Sequence, residues 1–179
     1  MAEERGPRDG TAHTALPDEE SARLLQQATA AASARRLTEA DALLTALLDR
    51  DPRSVRGLDL LGFVRYFQGR HAEAEDACRR TLALAPDHAY AHKGLGLCLA
   101  AQGRLADGLA ELARARELKP GWFDPWWDTA VVLHGAGRHL DALAILDQAC
   151  LAVPTRRADF QGFVRQIRRK LDEGGQGPR

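Results

Sequence analysis

Apolar positions along this chain recur at the three- and four-residue spacing of a helix face and do not alternate as a strand's would. Leu58, Leu61, Val64 and the stem of Arg65 make one such face, and Ala74, Ala77, Cys78, Leu82 and Leu84 make its mate. The pattern predicts helix pairs at 20–34 with 38–50, 55–68 with 71–84, 89–102 with 105–118, and 123–136 with 139–152. One more helix is expected at 157–172, without a partner in sequence. Thr38-Glu39-Ala40-Asp41 has the form of a capping box opening the second helix, with Asp where Glu is usual.

The punctuation between these helices is periodic. Pro52, Pro86, Pro120 and Pro154 are evenly spaced, and Gly69, Gly103 and Gly137 keep the same interval. So do two sets of small residues, Ala28, Gly62, Gly96, Ala130 and Ala40, Ala74, Gly108, Ala142. Each set has a physical reason. Proline after an apolar helix ends it, because it lacks an N–H and biases the residue before it away from helix. Glycine in a tight turn takes positive φ without a Cβ penalty. Small residues at matching places in both helices of a pair let the two backbones approach.

A period of 34 with Leu61-Gly62, Leu95-Gly96, Ala74, Trp126, Pro86 and Pro120 in register resembles the tetratricopeptide repeat. The likeness covers residues 21–154. It is weakest in the first unit, where Arg35 replaces the turn glycine and Gln27-Ala28 replaces Leu-Gly. The resemblance implies an all-α fold, a right-handed α-solenoid of four helix-turn-helix repeats with a C-terminal capping helix. Its expected repeats are 21–54, 55–88, 89–122 and 123–156 within a domain of 18–172, capped by the helix at 157–172. Residues 1–17 and 173–179 are expected to be flexible ends.

The resemblance further implies a concave groove lined by the first helix of each pair. Carried onto this chain, its candidate partner-binding residues are Arg56, Asp59, Phe63, Tyr66, Phe67, Tyr90, Lys93, Leu97, Trp127, Val131 and His134. That surface is apolar and aromatic with a few charges, and aromatic anchors bury much area for little lost rotamer freedom. Of the neighbouring tryptophans, Trp126 is expected in the core and Trp127 at the interface. Repeats that clamp the acidic tail of a heat-shock chaperone use groove Lys and Asn. Here Leu25, Thr29, Asp59 and Phe63 stand in those places and the chain has no Asn, which also excludes an Asn ladder of the sugar-transferase kind.

Composition narrows the partner. The chain has 25 basic and 25 acidic side chains, so it lacks the basic excess that nucleic acid or a membrane surface would require. The segment 1–54 is net acidic, whereas 155–179 is net basic. An Ala-, Leu- and Arg-rich composition suggests a bacterial source. No apolar run approaches the ~18 residues of a membrane span, nor does the N-terminus have a signal-peptide core, so a cytoplasmic location and no membrane insertion are expected. Cys78, Cys98 and Cys150 have no paired spacing and are expected as small buried thiols.

Candidate chemistry is sparse. His88 and His92 are four apart on one helix but lack a third ligand, so no metal or other cofactor is expected. Ser21, Ser33 and Ser54 lie in no nucleophile motif, and Glu73-Glu75 and Asp124-Asp128 read as solvated helix faces. Phe160, Phe163, Val164, Ile167 and Leu171 give the last helix an apolar side among Arg157, Arg165, Arg168, Arg169 and Lys170. A cap on the repeat stack is expected there, rather than a basic helix that touches another surface. The chain reads as no enzyme but a protein-interaction module, an adaptor or scaffold that holds an apolar or helical segment of another protein. A chaperone of a secreted protein and a scaffold that self-associates between its acidic and basic ends are the alternatives.

Overall fold

The computed structural model describes residues 18–174. The expectations placed on 1–17 and 175–179 fall outside it. Eight α-helices form four antiparallel hairpins among the described residues. They are α1 (Glu19–Ser33) with α2 (Leu37–Arg50), α3 (Val55–Phe67) with α4 (His71–Leu84), α5 (Ala89–Ala101) with α6 (Leu105–Leu118), and α7 (Phe123–Gly135) with α8 (His139–Ala152). A 3-10 turn at Pro154–Arg156 then leads into α9 (Arg157–Gly174), which runs slightly past the end the sequence suggests. Helices α1, α3, α5 and α7 touch one another in turn along the stack and make one layer, with α2, α4, α6 and α8 in the other. The fold is an all-α solenoid.

Three helices start on a side-chain cap. Asp18, Ser54 and His88 cap α1, α3 and α5 by accepting the N–H groups of Ser21, Gly57 and Ala91. The expected capping box at Thr38 does not form: α2 begins at Leu37 after Arg36, with no side-chain cap. Asp41 is spent elsewhere, accepting hydrogen bonds from Arg65 at 3.1 Å and Arg70 at 2.8 Å in the next hairpin. Burial alone would raise the Asp41 carboxyl, but these guanidinium bonds hold it below its ordinary range. Every hairpin turns through one residue at positive φ, namely Arg35 at 58°, Gly69 at 76°, Gly103 at 81° and Gly137 at 76°. Arg35 thus adopts a conformation uncommon for a side-chain-bearing residue, and its guanidinium sits 4.6 Å from the Phe67 ring.

The core is built from the periodic positions. Leu44, Leu47, Leu48, Leu58, Leu61 and Val64 close the first two hairpins, and Leu95 and Leu99 continue inward with Cys78. The Cys78 and Cys98 thiols are buried and Cys150 is half-buried. Contact with Cys98 and burial push the Cys78 thiol far up, so it stays protonated and inert. A separate cluster joins Leu133, Leu146 and Val153 to Phe160, Phe163 and Ile167 of α9.

The place of α9 follows from the same register. Phe160, Phe163, Val164 and Ile167 come one full period after Trp126, Thr129, Ala130 and Leu133, so α9 sits where the first helix of a fifth pair would. Its buried side is apolar, and Arg157, Arg165 and Arg168 on its other side are exposed.

Candidate functional site

Among the described residues the candidates on the odd-numbered helices are unequally exposed. Phe63, Phe67, Tyr90 and Val131 are 45%, 46%, 49% and 44% exposed, large values for rings and branched chains outside a loop. Phe63 and Phe67, one helical turn apart on α3, have ring centroids 4.7 Å apart, and Tyr66 meets Phe67 edge-on at 5.4 Å. Beside them opens a cavity of about 460 Å³ between α5 and α7, lined by Tyr66, Leu97, Ala101, Val132 and Gly135 among others. Its breadth comes from small residues at the ends of α5 and α7, where larger side chains would fill it.

A charged node lies on the same helices. Lys93 of α5 is 3.5 Å from Asp124 and 3.4 Å from Asp128, both on α7. The second contact lacks hydrogen-bond alignment. Asp59 on α3 is 3.7 Å from His88. Burial pushes the Asp59 and Asp128 carboxyls up; His88 and then Lys93 only partly offset this at Asp59, and Lys93 does so at Asp128. Burial also raises the Tyr66 phenol. Above this node Tyr90 lies 4.3 Å from Trp122, with Lys119 4.4 Å from the Tyr90 ring. Trp122 and Lys119, which precede α7, and Arg35, in the first hairpin's turn, adjoin candidate rings without being among the sequence candidates.

Two candidates are placed differently from expectation. Trp127 is half-buried, stacked on Phe123 at 5.5 Å and set against Phe163 of α9 at 5.1 Å. It is therefore chiefly a packing residue for the capping helix, not the open anchor the sequence suggests. His134 meets the same Phe163 edge-on at 5.5 Å and His139 at 4.6 Å. Burial, with the nearby His139 and Lys170, lowers the His134 imidazole below its ordinary value. Arg56, at the near end of α3, is exposed. The exposed apolar candidates are thus Phe63, Phe67, Tyr90 and Val131, with Leu97 half-buried one repeat after Phe63.

His88 and His92 do structural work. His92 bridges the Pro86 carbonyl at 2.9 Å and the Glu111 carboxylate at 2.6 Å. One period later Trp126 Nε1 donates to the Pro120 carbonyl at the same 2.9 Å. Among the described residues no set of three His, Cys, Asp or Glu side chains is placed to hold a metal ion, and no helix is long and apolar enough to cross a membrane.

A stack of helical hairpins recurring with a period of 34 defines an α-solenoid repeat protein. The tetratricopeptide repeat model matches residues 25–85 and 60–122, and the chain belongs to that family. No curated protein sequence matches it. Among solved structures, an O-GlcNAc transferase mutant of Thermobaculum terrenum is 27% identical with a TM-score of 0.66, over 76% of this chain but only 27% of the transferase. A tetratricopeptide repeat protein of Thermus thermophilus is 17% identical with a TM-score of 0.71, covering 84% of this chain and 82% of its own. The first repeat domain of Spaghetti (RPAP3), bound to an HSP90 peptide, is 18% identical with a TM-score of 0.62, covering 66% and 94%. At these identities the last two establish likeness of fold alone.

Proposed function

We infer that this protein is an interaction module whose concave groove holds an apolar segment, extended or helical, of another protein. One observation carries the reading: Phe63, Leu97 and Val131 hold the same place in three successive repeats, Phe63, Phe67 and Val131 are exposed, and half-buried Leu97 lines a cavity of about 460 Å³. Exposed apolar surface that is contiguous and rimmed by charge is characteristic of docking sites, and grooves between helices commonly take amphipathic segments. One similar structure, the Spaghetti repeat domain, has an HSP90 peptide bound. A carboxylate clamp of that kind is not proposed here, because Leu25, Thr29, Asp59 and Phe63 stand where its Lys and Asn would be.

The test is selection from a random peptide display library with the purified chain and with Phe63→Asp/Val131→Asp. Both substitutions fall on exposed positions, so helicity is expected to persist. The unmodified chain should enrich apolar sequences, and the variant should bind them at least tenfold more weakly. Equal binding by the two would remove the groove as the site.

A further inference from the structure

We propose that the solenoid is two folding units hinged between the third and fourth hairpins, with α7, α8 and α9 moving against the first three pairs. Three independent observations meet at that junction. The buried apolar clusters do not run through it: the one holding α7 to α9 takes only half-buried Leu109 from the preceding hairpin. At the matching place in the first junction Leu48 and Leu61 share one buried cluster, and in the second Leu82 packs against the cluster that holds Leu95. Between α8 and α9 the pair is Cys150 with Phe163, again apolar. In the third junction alone the register holds Arg116 and Thr129, joined by a 2.6 Å hydrogen bond.

Arg116 is half-buried and spreads over the Trp126 ring at 4.9 Å; burial lowers its guanidinium. A polar pair at a packing position keeps the geometry but gives up the apolar burial that couples neighbouring repeats. The ion pairs that tie the earlier junctions on their outer side also change. Arg70, Arg104 and Arg138 each pair with an acid three residues on, but Arg70 also binds Asp41 and Arg104 also binds Glu75 across hairpins, whereas Leu109 stands in that acidic place opposite Arg138. Finally, the cavity of about 460 Å³ lies between α5 and α7, so space as well as chemistry separates the two parts. Lys93 with Asp124 and Asp128 is the remaining polar bridge at the groove face. The groove's width beside Leu97 and Val131 would follow the hinge.

The chain carries its own probe, because its three tryptophans, Trp122, Trp126 and Trp127, all lie at the start of the fourth hairpin. Full-length protein is unfolded in urea, with tryptophan emission and far-ultraviolet circular dichroism read on the same samples. The emission midpoint should fall below that of the main ellipticity loss by roughly 0.5 M or more. In Arg116→Leu/Thr129→Leu, which restores the pairing of the earlier junctions, the gap should shrink to less than half. Coincident midpoints in the unmodified chain overturn the proposal, and so does a folded double variant that keeps the full gap. If that variant misfolds, Arg116→Met/Thr129→Val serves in its place. Hydrogen exchange of the unmodified chain decides separately: α7 to α9 should exchange as a group ahead of α3 to α5. Uniform protection across both would sink the hinge.

Discussion

Gly96 and Gly108 face each other at the crossing of α5 and α6, each where the other leaves no room for a side chain. A Cβ on Gly108 would lie 2.6 Å from the Gly96 carbonyl oxygen, and one on Gly96 would lie 2.8 Å from that of Gly108. Both obstacles are backbone, which cannot swing aside. Gly108→Ala should therefore destabilise by about 1–3 kcal/mol through overpacking, toward the upper end. Gly62→Ala, whose nearest obstacle is the Cys78 sulfur at 3.0 Å, should cost less. Urea unfolding of the two variants side by side checks the order.

Gly103 tests a different cause. Its φ of 81° lies in the left-handed region, and a Cβ there would meet nothing within 4 Å. The cost of Gly103→Ala is conformational only, about 1 kcal/mol. The first hairpin turns through Arg35 at 58° and bears that strain naturally. Thermal denaturation of Gly103→Ala measures it, and an unchanged midpoint would show that the turn relaxes.

Asp128 gives a pH prediction with a definite sign. Burial holds its carboxyl above the ordinary range despite Lys93, so the folded chain binds that proton more tightly than the unfolded chain does. Its charge opposes folding above the folded pKa, and the penalty disappears below the unfolded value of about 3.9. Asp128→Asn should accordingly be more stable than the parent at pH 7 and no more stable well below pH 4. Denaturation midpoints of the pair across that range give the answer, and a variant weaker at pH 7 would mean that Lys93 depends on Asp128.

The cap is held chiefly by aromatic packing. Phe160 is fully buried and stacks on Phe123 at 5.0 Å. Phe160→Ala should cost about 3–5 kcal/mol and shift tryptophan emission to the red, since Trp127 shares the same cluster. Emission and ellipticity of the folded variant report both effects.

The architecture was legible because its determinants are local and repeated. Proline, turn glycine and paired small residues recur in register, and the helices fall close to their expected bounds, 55–68 against Val55–Phe67 for α3 being typical. What escaped depended on contacts between units. Asp41 has the spacing of a cap, but two arginines from the next hairpin claim it. Trp127 looks free on a helical wheel of α7, and only the arrival of Phe163 covers it. The cap itself is legible from its apolar side, and the register of Phe160, Val164 and Ile167 against Trp126, Ala130 and Leu133 adds that it holds the place of a fifth first helix. The Arg116–Thr129 pair was equally visible by aligning units, since leucine fills both places in the two preceding junctions.

The placement of α9 has a consequence for growth. A solenoid whose last element presented bare leucines could be extended by any further copy, at the risk of open-ended fibres. Here the terminal helix turns guanidinium groups outward, so adding a subunit by the same packing would mean stripping water from Arg157, Arg165 and Arg168.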